Sequence, residues 1–326
     1  MEKTKELSRS IELKQMVYQQ LTAHGVISTF ERIEVQPHYC ITLNKKPYYH
    51  SIITCPTSQQ KYFLKVVKGK DGAHLCNDFL KSIRSKDGTS PYPIIVVPEF
   101  EHKGTRYYVT NFLEGQTMDT LPKTTPENVW DEIADELLLR LNELEMLQAP
   151  QYSEEGIFVS DDCASILKKK IVNRLQHPLM ETFPSKKLEK VFVRCCEILD
   201  VSQFSNPTLL HMDIKPANII YNNQTGTVSL IDFESARFGD IDYGWTQILL
   251  SERNRFSEVY KTHLVPRLTR GRLTLDEALD VPKFQCYLFY QIMCNLIYYY
   301  DRNLRCPKEL NTLFHQITDR LNGDYI

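Results

Sequence analysis

"LLHMDIKPANIIYNNQTGTVSLIDFE", residues 209–234, decides how the whole chain is read. Three short apolar runs, "TLL", "NIIY" and "VSLIDF", read as strands, and "NNQTGT" is the turn joining the last two. Polar groups stand at their edges: His211, Asp213 and Asn218 around the first loop, and Asp232 at the end of the third run. A hairpin that doubles back lets Asp213, Asn218 and Asp232 converge, although Ile219 to Ile231 lie between the latter pair. Two oxygen ligands and a further carboxylate are what a magnesium-dependent phosphoryl transfer needs. Mg²⁺ takes one or two protein oxygens and fills its other positions with phosphate and water. The remaining carboxylate accepts the proton of an attacking hydroxyl. Taken singly, these residues would be turn caps and a core histidine. The ordered set, strand–HxDxxxxN–strand–turn–strand–D, is what points to chemistry.

The bulk properties leave room for this. The chain has 326 residues, 42% of them apolar and 25% charged, enough for two lobes with a core each. A net charge of −2 offers no global basic field, so no nucleic-acid partner is expected. The most apolar stretch, "QCYLFYQIMCNLIYYY" (285–300), is short for a membrane span and fits a buried helix better. No signal segment opens the chain. Nine cysteines without a C-x-x-C pair read as reduced thiols in a cytoplasmic protein.

Along the chain, residues 7–24 predict a helix, followed by β-rich runs at 29–35, 47–55 and 61–67. A helix is expected at 73–83, then strands in "PIIVVPEF" and "RYYVTNFL". From "TTPENVWDEIADELLLRLNELEML" onward the pattern turns helical, with Thr N-cap and Pro126 at the first helical position. Further helical patterns fall at 163–179, 185–200, 244–252, 256–265, 275–300 and 307–322. The expected fold class is α+β: a small antiparallel β lobe (1–113) and a larger α-helical lobe (114–326) carrying the loop quoted above.

"HMDIKPAN" followed by "LIDFE" resembles the catalytic and metal-binding loops of the protein-kinase-like superfamily, and most closely its small-molecule branch of aminoglycoside phosphotransferases and choline kinases. The resemblance implies a two-lobed kinase-like fold, with Mg²⁺ and ATP or GTP as cofactor and phosphate donor. By it Asp213 is the catalytic base, Asn218 and Asp232 hold the metal, and His211 braces the loop from behind.

A kinase also needs a lysine on the third strand to reach the phosphates. "KYFLKVV" supplies Lys65 in mid-strand; the alternative is an edge-strand lysine facing water. Asp78 is the one acid inside the expected helix and so the candidate partner of Lys65; the alternative is a solvated helix residue. "RYYVTNFLEG" resembles the hinge segment that binds adenine, with Thr110 at the back and Asn111 and Leu113 offering backbone groups. No glycine occurs between Gly25 and Gly69, so a phosphate loop of G-x-G-x-x-G form is absent; Asn44, Lys45 and Lys46 either face phosphates or form a plain hairpin tip. The branch commonly shows "GDPxxDL" after the metal loop, where this chain reads "GDIDYGW" with Gly244 at the later aspartate position.

Three functions remain open at this point: a small-molecule kinase, a protein Ser/Thr kinase, or an inactive nucleotide-binding pseudokinase. "DFE" in place of D-F-G, and too few residues for an activation loop, speak against a protein substrate. Residues 127–162 carry eleven acids against one base, Arg140, a net −10. The resemblance implies that the helical segment just after the hinge helps wall the acceptor cleft; a cleft of one sign concentrates ligands of the other, so a small, cationic, hydroxylated acceptor is expected. A solvated helix face is the alternative.

Overall fold

The computed structural model describes residues 2–43, 46–67, 77–78, 80–81, 83, 90–122, 124–147, 163–251, 260–269 and 273–323. It forms two compact units: Met1–Gly115 with Ser229–Glu234, and Gln116–Val228 with Ser235–Ile326. A single break near 113 thus leaves out one feature. The chain returns to the first unit for six residues, and those include Asp232.

In the first unit α1 (Glu2–Ala23) precedes a five-stranded sheet of β1 (Glu34–Leu43), β2 (Lys46–Thr54), β3 (Lys61–Val66), β4 (Ile95–His102) and β5 (Thr105–Asn111). The order is β1-β2-β3-β5-β4, with antiparallel neighbours throughout. Both edge strands contain a proline, Pro37 in β1 and Pro98 in β4, and each edge shows register irregularities there. An edge is where a residue without an N–H is tolerated, and it blunts pairing with other chains. The run expected at 29–35 begins only at Glu34 and continues to Leu43, because the sheet recruits the residues opposite β2. Strand β3 alternates: Tyr62, Leu64 and Val66 are buried against Val17 and Leu21 of α1, which leaves Lys61, Phe63 and Lys65 on the other face.

The second unit is mostly helical: α2 (Glu127–Glu145), α3 (Cys163–Leu175), α4 (Ser185–Val201), α5 (Ile241–Ser251), α6 (Val265–Leu268), α7 (Leu275–Ala278), α8 (Pro282–Asp301) and α9 (Lys308–Asn322). The apolar stretch 285–300 lies in α8, whose buried residues include Cys286, Leu288, Phe289, Ile292 and Met293. Its one polar core residue, Gln291, donates to the Tyr243 carbonyl and the Thr246 hydroxyl. No described helix is long and apolar enough to cross a membrane. The pattern 275–300 divides into two helices, since Pro282 starts a new one after the turn at Asp280 and Val281. At α2 the N-cap is Pro126 itself, and the Thr125 hydroxyl bonds back to the Pro122 carbonyl, one residue away from the expected arrangement.

The decisive stretch gives β7 (Thr208–Leu210), β8 (Ile219–Asn222) and β9 (Thr227–Leu230), with β10 (Arg237–Gly239) following. β8 stands between β6 (Gln116–Thr117) and β9, while β7 pairs with β10 instead. Gly226 closes the β8–β9 turn at φ +67°, a left-handed conformation that favours glycine.

Candidate active site

The loop after β7 is built by contacts a few residues long. Asp213 Oδ2 accepts from Lys215 Nζ at 2.5 Å and from Asn218 Nδ2 at 2.9 Å. The same Nδ2 donates to the Asp213 carbonyl at 2.9 Å. Asn218 ends a single 3₁₀ turn, Pro216–Asn218, which carries its side chain back towards Asp213. His211 is buried, and its Nδ1 accepts the Asp213 N–H at 3.3 Å, which places the ring behind the loop. Asp213 Oδ1 accepts no hydrogen bond among the described residues. The arrangement thus engages one carboxylate oxygen, Oδ2, twice. Asn218 is buried, and its Oδ1 likewise accepts no hydrogen bond among the described residues.

In the first unit, Lys65 lies on an interior strand between β2 and β5, with its side chain 11% exposed. The alternative of an edge lysine facing water is therefore excluded. Its ammonium meets Asp232 Oδ1 at 2.5 Å and Glu234 Oε1 at 2.9 Å. Two local features hold this pair of carboxylates. Asp232 has φ +69°, a left-handed conformation that a non-glycine residue keeps only when its surroundings impose it. Phe233 is buried edge-on against Tyr92, with ring centroids 5.8 Å apart, and the Leu230 N–H donates to the Pro91 carbonyl. The chain is thus anchored on both sides of the half-buried Asp232 carboxylate.

The model of the phosphotransferase enzyme family matches residues 56–277, a span that includes Lys65, the loop at 211–218 and Asp232. The chain belongs to that family. A thermostable mutant of aminoglycoside phosphotransferase APH(4)-Ia, in ternary complex with AMP-PNP and hygromycin B, is similar at 13% identity. The match covers 95% of this chain and 98% of that one, with a TM-score of 0.62. The GDP and kanamycin complex of APH(2")-IIia matches at 15% identity over 95% and 99%, with a TM-score of 0.51. ADP-bound APH(2'')-Ib matches at 16% over 94% and 98%, with a TM-score of 0.54. At these identities the likeness is one of fold. No curated protein matches the sequence.

As a small-molecule kinase of the phosphotransferase family, the chain departs from expectation at two places, Lys65 and Asn111. Asp78 is not the partner of Lys65: its side chain is 90% exposed and bonds Lys81 at 3.1 Å, one turn along the same helical piece. Among the described residues the carboxylate that accompanies Asp232 at Lys65 is Glu234, and its position two residues after Asp232 was the available signal. Asn111 closes β5, and its N–H donates to the Ile94 carbonyl at 3.0 Å while its side chain holds the Ile94 N–H. Only its carbonyl remains for a base. The backbone of Leu113 makes no hydrogen bond among the described residues. Asn44 and Lys45, and the side chain of Lys46, lie outside the described residues.

The acids of α2 are largely spoken for. Arg267 binds Glu127 and Asp131, each at 2.6 Å, and His263 Nδ1 stands 3.1 Å from Glu127. The Tyr221 hydroxyl donates to Glu132, and the buried guanidinium of Arg140 takes Glu136 and Glu143. The Arg267 hydrogen bond holds the Glu127 carboxyl below its ordinary pKa. Residues 148–162, with the remaining acids of the run, lie outside the described residues.

The side chains expected to hold the metal, one carboxylate and one amide, are of a chemistry that suits magnesium. Among the described residues no three His, Cys, Asp or Glu side chains gather as a self-sufficient metal site. A carboxylate and an amide oxygen suit a cation that takes most of its ligands from phosphate and water.

Proposed function

We propose that this phosphotransferase moves the γ-phosphate of ATP or GTP onto a hydroxyl of a small cationic molecule. In this reading Asp213 takes the proton of the acceptor hydroxyl, Asn218 and Asp232 hold Mg²⁺, and Lys65 contacts the nucleotide phosphates. The Asn111 carbonyl and the Leu113 N–H meet the base. Mg²⁺, when bound, neutralises charge on the transferring phosphoryl group. The chain's own residues supply position. Lys215 and Asn218 fix Asp213 through Oδ2, and Glu234 keeps a carboxylate on Lys65 when Asp232 turns to the metal. The observation that carries the reading is the half-anchored Asp213, which leaves Oδ1 open beside an Asn218 whose own Oδ1 is also open.

Two findings support a cationic acceptor. Relatives of the same fold have been captured with hygromycin B or kanamycin. After the pairings of α2, Asp135 remains exposed on that helix, and the acids of 148–162 add to it. The described cysteines are free, which supports a reducing, cytoplasmic setting.

The test is nucleotide consumption with Mg²⁺, for ATP and for GTP, against hydroxylated amines, neutral sugars and a generic protein substrate at low and high salt. Turnover confined to cationic small molecules, with kcat/KM falling as salt rises, is the expected result. An efficient neutral acceptor without salt dependence removes the charge argument, and no product with any acceptor removes the transferase reading.

A further inference from the structure

The peptide plane between Met212 and Asp213 is held at both ends by side chains. At one end the Asp213 N–H donates to His211 Nδ1 at 3.3 Å. At the other, the Met212 carbonyl accepts from Gln247 Nε2 at 2.5 Å. Met212 itself has φ +63°, a conformation unfavourable for a side chain of its size. Such a backbone persists only where its surroundings over-determine it. The two bonds fix the tilt of the one plane from which the Asp213 side chain departs.

Gln247 comes from α5, 35 residues further along the chain. It reaches Met212 because α5 packs close to β7. Gly244, one turn before it, lies so near Leu210 that a Cβ would stand 2.9 Å from that residue's Cδ2. This accounts for the sequence "GDIDYGW", where the branch commonly places an aspartate at position 244. Glycine at that position lets the helix approach, and the amide one turn later takes the loop.

We infer that Gln247 is a positioning residue for the phosphoryl-transfer step, acting through the Met212 carbonyl to aim Asp213. Gln247 touches neither nucleotide nor acceptor in this account, so its loss affects the orientation of the base and not the binding of substrates. The inference rests on the role proposed for Asp213, and its test separates the two.

Gln247→Leu removes the donor at nearly constant volume. Turnover of ATP with the best acceptor falls about 10- to 100-fold, the scale expected for a small misplacement of a reacting group, with KM for ATP within about twofold. Hydrogen exchange at the Asp213 amide, followed by NMR, speeds up in the same variant. Gln247→Glu supplies a second arm. A glutamic acid donates to the carbonyl only when protonated, so its kcat relative to wild type rises as pH falls from 8 to 5.5. Unchanged amide exchange in Gln247→Leu, or a pH-independent ratio for Gln247→Glu, overturns the inference. If wild type turns over no acceptor, the proposed function fails, and the exchange measurement still decides whether Gln247 holds the loop.

Discussion

The loop at 211–218 and helix α2 both gather polar residues densely, yet they use them in opposite ways. In the loop, each bond to Asp213 comes from within five residues: His211 and Lys215 at two, Asn218 at five. One carboxylate oxygen is left open by that network. In α2 three acids are met from far along the chain, Glu127 and Asp131 by Arg267 across 140 and 136 residues and Glu132 by Tyr221 across 89, while Arg140 holds Glu136 and Glu143 within the helix. There the charge serves to dock helices. Spacing that closes on itself reports chemistry, whereas a run of like charge does not report where that charge goes.

The comparison breaks first at Asp213. Asp213→Asn keeps an oxygen for Lys215 to bond but removes the base, so kcat falls about 10²- to 10⁴-fold. Nucleotide affinity, measured by calorimetry with Mg²⁺ present, stays within about twofold. A loss of less than tenfold in kcat would reduce the loop to a turn motif. Asp232→Ala is expected to abolish the Mg²⁺ dependence of nucleotide binding, and unchanged affinity would remove it from the metal site.

Glu234 and Asp78 sharpen the contrast between a contact and a composition. Glu234→Gln weakens the hold on Lys65 and lowers kcat/KM for nucleotide about tenfold, the scale of one charge-assisted hydrogen bond. Arg267→Ala leaves turnover alone and lowers Tm by about 2 °C, as loss of a partly exposed pair does. Because Arg267 holds the Glu127 carboxyl below its ordinary value, the stabilisation is present above the unfolded pKa and lost as pH falls through the folded one. The Tm gap between wild type and variant is therefore full at pH 6 and closes below about pH 4. A gap that widens in acid contradicts the pairing. Asp78→Asn, the smallest change, leaves kcat/KM as it is, because that acid bonds only its neighbour Lys81.

The sequence made legible whatever rests on short spacing or alternation. The β7–β9 stretch, the strand that carries Lys65 and the buried helix α8 all follow from local pattern and burial, whereas the interior place of that strand is set by its pairing with β2 and β5. It did not reveal Glu234 as the companion of Asp232 at Lys65, since a contact between residues 65 and 234 is a property of the fold. Nor did it show that the Asn111 N–H closes a strand ladder with Ile94 or that Gln247 reaches Met212, because backbone groups carry no residue signature. The start of β1 was misplaced for a related reason: pairing with β2, not propensity, decides which residues extend the sheet.

The central claim is that Asp213 directs a phosphoryl group to a small-molecule hydroxyl, and ³¹P NMR of the reaction tests it most directly. With ATP, Mg²⁺ and a cationic amino sugar, the wild-type protein is expected to convert the γ-phosphate resonance into that of a phosphomonoester of the acceptor, and Asp213→Asn to leave the spectrum unchanged over the same time. ADP with free phosphate as the sole products, or equal ester formation by the variant, would contradict it.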